Sequence, residues 1–233
     1  MSDYDILVVT SGISDKKVGN VLDNIDDLYY KDPEHQTPVQ FINDDLKTLN
    51  RQLEEGRYFY TQVKQEGIVL YDSGKFKLAR RRKLNFKEIQ QQAQEYFDEK
   101  FENGINFLDD AGYNYKKGTY KMASFMLHQA TENYYYAIRL AFTLRNNKQH
   151  NLAKLSASVK GHSSELSNVF RRDTAEEKRL FTLLKDAYVE ARYNPDFLVT
   201  KEDIEALLPK VELLRDITKR ICEGKIREYG EME

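Results

Sequence analysis

The sequence predicts an α+β protein, with a small α/β segment in front and an all-α helical bundle from about residue 85 onward. Three observations carry that reading. Short apolar, β-branched runs alternate with amphipathic stretches over residues 1–74. After residue 85, apolar residues recur at three- and four-residue spacing over long stretches. With only 4 Pro and 11 Gly in 233 residues, little interrupts helix formation.

The first element is a strand over residues 4–10, whose run Ile6-Leu7-Val8-Val9 closes at Ser11-Gly12. A helix over about 15–30 follows, with Val18, Val21, Leu22, Ile25 and Leu28 on one face and Asp32-Pro33 closing it. Residues 37–42 read as a second strand. A helix over about 44–55 stops at Gly56, a residue suited to a C-cap, and a shorter helix over 57–65 stops before Gly67. Gly67-Ile68-Val69-Leu70-Tyr71-Asp72 then reads as a third strand ending at Ser73-Gly74. Residues 75–84, Lys-Phe-Lys-Leu-Ala-Arg-Arg-Arg-Lys-Leu, form a basic connector, either a solvated linker or a phosphate-facing strip.

Asn85 with Glu88 makes a capping box, and Leu84 with Ile89 fits a hydrophobic staple. From there Ile89, Ala93, Phe97, Phe101, Ile105 and Leu108 define a long helix. A second covers about 119–144, and shorter helices lie near 150–159 and 163–169. Thr174 with Glu177 caps a helix running to about Arg192, ended by Asn194-Pro195. Thr200 caps the last helix, read as reaching about Gly224. Antiparallel helices with short links make a bundle over 85–233.

Composition narrows the function classes. A formal net charge of −2 gives no reason to expect DNA or a membrane surface as partner. One cysteine, Cys222, excludes an internal disulfide and fits a reducing compartment, so the expected location is cytoplasmic. No stretch approaches the roughly 20 apolar residues of a membrane span. Sixteen Tyr and no Trp fit either rings packed in the core or self-association through aromatic faces; only together with the family resemblance drawn below do they make a homodimer through the helical bundle the expectation.

Two groups of residues carry candidate chemistry. Asp3 and Asp5 stand at i and i+2, on one face of the first strand, where paired carboxylates hold Mg²⁺ and a nucleoside triphosphate, or are merely surface acids. His128, Glu132, Tyr135 and Arg139 stand at i, i+4, i+7 and i+11 of the second long helix. That stripe either lines a groove for a nucleotide, such as ATP or another NTP, with rings for the base and Arg139 or Arg192 for phosphate, or is a solvated bundle surface.

Ser2-Asp3-Tyr4-Asp5 with its apolar run, closed by 67–71, resembles the minimal nucleotidyltransferase fold of the polymerase-β superfamily. The resemblance implies Asp3 and Asp5 as metal ligands, a Gly-Ser turn upstream and a third carboxylate on the next strand. Only Met1 precedes Ser2, and Gln40 stands where the third acid is expected, so a complete transferase site is not expected here. His128 to Ala137, His150-Asn151-Leu152 and Ala187 to Tyr193 together resemble the HEPN domain, over about 85–224. That resemblance implies a helical, dimeric, nucleotide-binding module paired with a nucleotidyltransferase, as in toxin–antitoxin-like systems. Many HEPN domains are ribonucleases whose Arg is followed by a His after four to six residues. After Arg192 those positions hold Phe197, Leu198 and Val199, so ribonuclease activity is not expected. The expected function is nucleotide binding or interaction. The alternative is Mg²⁺-dependent transfer of an NMP to a protein or small-molecule hydroxyl.

Overall fold

A computed structural model describes residues 4–31, 37, 39–145 and 150–232. The chain divides into two units, Met1–Lys83 and Leu84–Glu233.

In the first unit, β1 (Tyr4–Thr10) pairs in parallel with β2 (Val39–Asp45), with Asp5 opposite Gln40 and Val9 opposite Asp44. The crossover is α1 (Asp15–Lys31), as parallel strands require. Asp45 ends β2 and caps α2 (Leu46–Glu54), its Oδ2 accepting from the Lys47 and Thr48 amides at 2.9 and 3.3 Å. Gly56, at φ +68°, takes the left-handed turn into α3 (Tyr58–Glu66).

The third strand expected over 67–72 is not formed. Residues 68–71 join no sheet, and their side chains stand in solvent. Their β-branched and aromatic character signals only fitness for a strand, and no ladder partner meets them among the described residues. The basic connector runs back along α2 instead. Ala79 N donates to Asn50 Oδ1 (2.7 Å), Lys64 Nζ to the Ala79 carbonyl (2.6 Å) and Arg82 N to the Glu54 carbonyl (3.0 Å).

The second unit is a helical bundle. Its first two helices are α4 (Phe86–Lys116) and α5 (Tyr120–Thr143). They are followed by α6 (Leu152–Val159), the single turn α7 (Leu166–Val169), α8 (Ala175–Tyr193) and α9 (Lys201–Gly230). All three sequence-predicted caps are formed as reciprocal capping boxes, Asn85–Glu88, Thr174–Glu177 and Thr200–Asp203. The last helix continues six residues past Gly224 because Ile226 and Tyr229 are buried. That burial outweighs the roughly 1 kcal/mol helix cost of a glycine.

The central element is α5, packed against α4, α6, α8 and α9 and buried around most of its circumference. Close approach of α4 depends on Gly104, where a Cβ would sit 2.4 Å from Cε1 of the buried Tyr134 ring. Left-handed Leu144 (φ 52°) ends α5, an unusual conformation for a branched residue that its own burial helps hold. Among the described residues, no helix is long and apolar enough to cross a membrane.

Candidate functional site

Three elements converge beside α5. Asn151 caps α6, its Oδ1 accepting from the Ala153 and Lys154 amides at 3.0 and 3.3 Å, and Leu152 and Leu155 anchor that helix in the core. The cap fixes the residue before it, His150, over α5. His150 Nδ1 lies 2.9 Å from Oε1 of Glu132, whose side chain is buried while the His150 ring stays 56% exposed. Burial raises the Glu132 carboxyl above its ordinary range, against the opposing pull of His150 and Lys100.

From α8, Tyr188 places its ring parallel to His150, at 5.2 Å and 6°. One turn on, Arg192 bonds its Nε to the Tyr188 carbonyl (2.8 Å) and sets its guanidinium carbon 4.3 Å from the Tyr188 ring centre. The Tyr193 and Phe125 rings lie 5.0 and 5.4 Å from the same carbon. Arg192 is exposed, and its Nη groups make no hydrogen bond among the described residues. Its planar fork is thereby aimed by aromatic rings with its terminal donors open.

Beneath Tyr188 lies His128, fully buried, its ring 5.2 Å from the tyrosine ring. Its Nδ1 meets the Leu184 carbonyl at 2.9 Å; a carbonyl can only accept, so Nδ1 carries the proton. Nε2 is then a bare acceptor, buried without a partner among the described residues. Desolvation pushes the imidazole pKa down to about 4, reinforced by His150 and Arg192 and opposed by the Leu184 bond. His128 is therefore a neutral support for Tyr188 at physiological pH.

Of the residues expected to bind nucleotide, His128, Glu132 and Arg192 come together here. Tyr135 does not, because its ring is fully buried in the core, where burial raises its pKa to about 12. Arg139 is half-buried, and no described interaction joins it to the cluster. The expected surface stripe is corrected for a physical reason: α5 is covered on nearly all sides, so its i, i+4, i+7, i+11 row looks into neighbouring helices rather than into water. Two residues with no expected role, His150 and Tyr188, complete the cluster. The available signals were a histidine directly before an Asn N-cap and a tyrosine one turn before an arginine.

An open pocket of about 450 Å³ adjoins the cluster, lined by His150, Asn151, Lys185, Tyr188 and Glu190 among others. A slightly larger one, about 490 Å³, lies between α4 and α9, but its Arg215 is held by Asp216 at 2.9 Å. The first brings the His150 and Tyr188 rings to one opening, but its Lys185 is held by Asp186 at 3.1 Å, and the open guanidinium of Arg192 stands one turn beyond Tyr188 rather than in its lining.

Comparison with known proteins decides the family. The HEPN domain matches residues 97–221, just over half of the chain. This chain belongs to the HEPN family. No curated protein matches it. The HEPN match spans α5, α6 and α8, so every residue of the Tyr188 cluster lies inside it.

In the other unit, Asp3 lies outside the described residues. Asp5 is exposed on β1 and faces Gln40, the amide expected in place of an acid. The next carboxylate on that face, Asp44, stands four residue pairs further along, about 13 Å by strand rise. It accepts the Tyr60 hydroxyl, whose pKa burial and this bond raise to about 12. Asp5 and Asp44 are thus too far apart to share one Mg²⁺ with ligands at about 2.1 Å. Among the described residues, no three metal-ligating side chains come together.

Proposed function

We propose that the HEPN bundle binds a nucleotide, free or as an RNA end, at the Tyr188 cluster. A base stacks on the exposed face of His150, and phosphate is met by the open Nη groups of Arg192. Membership in a family of nucleotide- and RNA-interacting proteins supports this reading. The observation that carries it is the convergence of His150 and Arg192 on one tyrosine ring, with buried Glu132 fixing the imidazole. A fixed aromatic platform beside an aimed guanidinium suits a ligand that is flat at one end and anionic at the other.

Stacking on a ring is worth about 1–3 kcal/mol per base, and a charge-assisted hydrogen bond about 1.5–3 kcal/mol. Arg192→Ala and His150→Ala are each expected to weaken binding by about 10- to 100-fold. Calorimetry of the full chain with ATP, GTP and CTP, with and without Mg²⁺, tests this. Absence of heat at millimolar nucleotide, or equal affinity in wild type and both variants, overturns the site. Mg²⁺-dependent binding that survives Arg192→Ala and is lost in Asp5→Asn would move the function to the N-terminal unit and favour NMP transfer.

A further inference from the structure

The overall charge of −2 hides one strongly basic stretch. Residues 75–83 carry the cations Lys75, Lys77, Arg80, Arg81, Arg82 and Lys83, and no acid stands between Asp72 and Glu88. All of these cations are exposed. Arg82 has a partner of its own, but the side chains of the others make no ion pair or hydrogen bond among the described residues. Like charges crowded in this way repel one another, and such a run is ordinarily a solvated linker without fixed form.

This run is pinned. Residues 76–85 pass without a bend or turn, and Asn50, Lys64 and Glu54 tie them down at Lys77, Ala79 and Arg82. Every tie uses a main-chain atom of the strip, so its charged side chains are left to solvent on a fixed frame. Arg81 lies across Gly56, where a Cβ would come within 2.3 Å of its Nε. Two rings accompany the cations, Tyr71 just before the strip and Phe76 within it, 85 and 53% exposed. From Phe76 to Lys83 the strip spans about 23 Å at about 3.3 Å per residue, enough to follow about seven nucleotides at a spacing of about 3.4 Å.

We infer that residues 75–83 bind the phosphate backbone of a single-stranded RNA, with bases stacked on Phe76 and Tyr71. The choice of RNA rests on the nucleotide reading of the bundle, while the strip is a separate site within the N-terminal unit. A single strand supplies both halves of the match, a row of phosphates for the cations and unpaired bases for the rings. The arginine forks meet phosphate with paired N–H···O bonds. Holding the backbone beforehand removes the ordering cost that a loose basic tail meets on binding. A lipid surface would reward the charges without the frame.

Fluorescence anisotropy of a labelled 12-nucleotide oligouridylate with the full chain reads this directly. With about five phosphates met, affinity should fall roughly 100-fold between 50 and 200 mM salt, a logarithmic slope of about −3.5. Replacing Lys75, Lys77 and Arg80 together by Gln should reduce that slope to about −1.4 and weaken binding about 100-fold at 0.1 M salt. Lys75→Arg with Lys77→Arg should keep both. Phe76→Ala should cost about 10-fold and leave the slope unchanged. These side chains are exposed, so far-UV circular dichroism should not change. The triple Gln variant should bind mononucleotide as wild type does, which separates this site from the Tyr188 cluster. If no mononucleotide binds while the oligonucleotide still follows the strip, the bundle reading fails and the strip stands. No oligonucleotide binding at 50 mM salt, a slope unchanged in the triple variant, or capture of phosphatidylserine vesicles that RNA cannot displace overturns the inference.

Discussion

Replacing His128 by Asn tests the buried floor of the site through pH. In the folded protein the imidazole has a pKa of about 4, against 6.5 for the free side chain, because burial disfavours the cation. A depressed pKa contributes stability above the unfolded value that is lost as pH falls. Between pH 6.5 and about 4 the unfolded chain takes up a proton that the folded chain does not. Each pH unit in that window then costs about 1.4 kcal/mol, so lowering pH from about 7.5 to about 4.5 should cost wild type about 2–3 kcal/mol from this group. Asn keeps an N–H for the Leu184 carbonyl but cannot titrate. His128→Asn should therefore be less stable near neutrality and lose less on acidification, so the two urea-unfolding curves converge toward pH 4.5. His162, whose pKa burial also lowers, and Glu132, raised by burial, are common to both proteins and drop out of the comparison. Far-UV circular dichroism follows the unfolding. A wild type–variant difference that stays constant across pH would refute the neutral, desolvated His128.

Two further substitutions probe the scaffold. Gly104→Ala drives a methyl into the Tyr134 ring, and the overpacking cost of roughly 1–3 kcal/mol exceeds the helix gain of about 1 kcal/mol. The melting temperature should therefore fall by several degrees; a rise would mean that α4 and α5 are not in close contact there. Thr200→Ala removes a cap acceptor and loosens Asp203, which Arg179 also holds at 2.5 Å. A loss of about 1 kcal/mol is expected, with Thr200→Ser nearly neutral, and equal stability of all three would dismiss the capping box.

Local signals were the legible ones. Caps at Asn85, Thr174 and Thr200 announce themselves because a side-chain oxygen three residues from an acid satisfies helix amides without help from the fold. The apolar rows of α4 and α5 place those helices because a 3.6-residue period is a property of one segment. What needs a neighbour was not legible. Residues 68–71 have the composition of a strand, but a strand exists only where an edge receives it. The His128–Arg139 row has groove spacing, but exposure depends on how many helices surround α5. His150 meets Glu132 across 18 residues of sequence, and only the cap at Asn151 and the packing of Leu152 bring it there.

The central claim is that His150 and Arg192 form a nucleotide site on Tyr188. Imidazole NMR signals test it most directly, because His150 and His162 lie in different surroundings of one bundle, His150 stacked on Tyr188 and His162 on Phe142. On addition of nucleotide the His150 signals should shift saturably, His128 should follow to a smaller extent through the shared ring, and His162 should stay still. Arg192→Ala should move the midpoint to higher concentration. A saturable shift of His162 with His150 unmoved, or no shift at any histidine while calorimetry records binding, would place the ligand elsewhere and contradict the account.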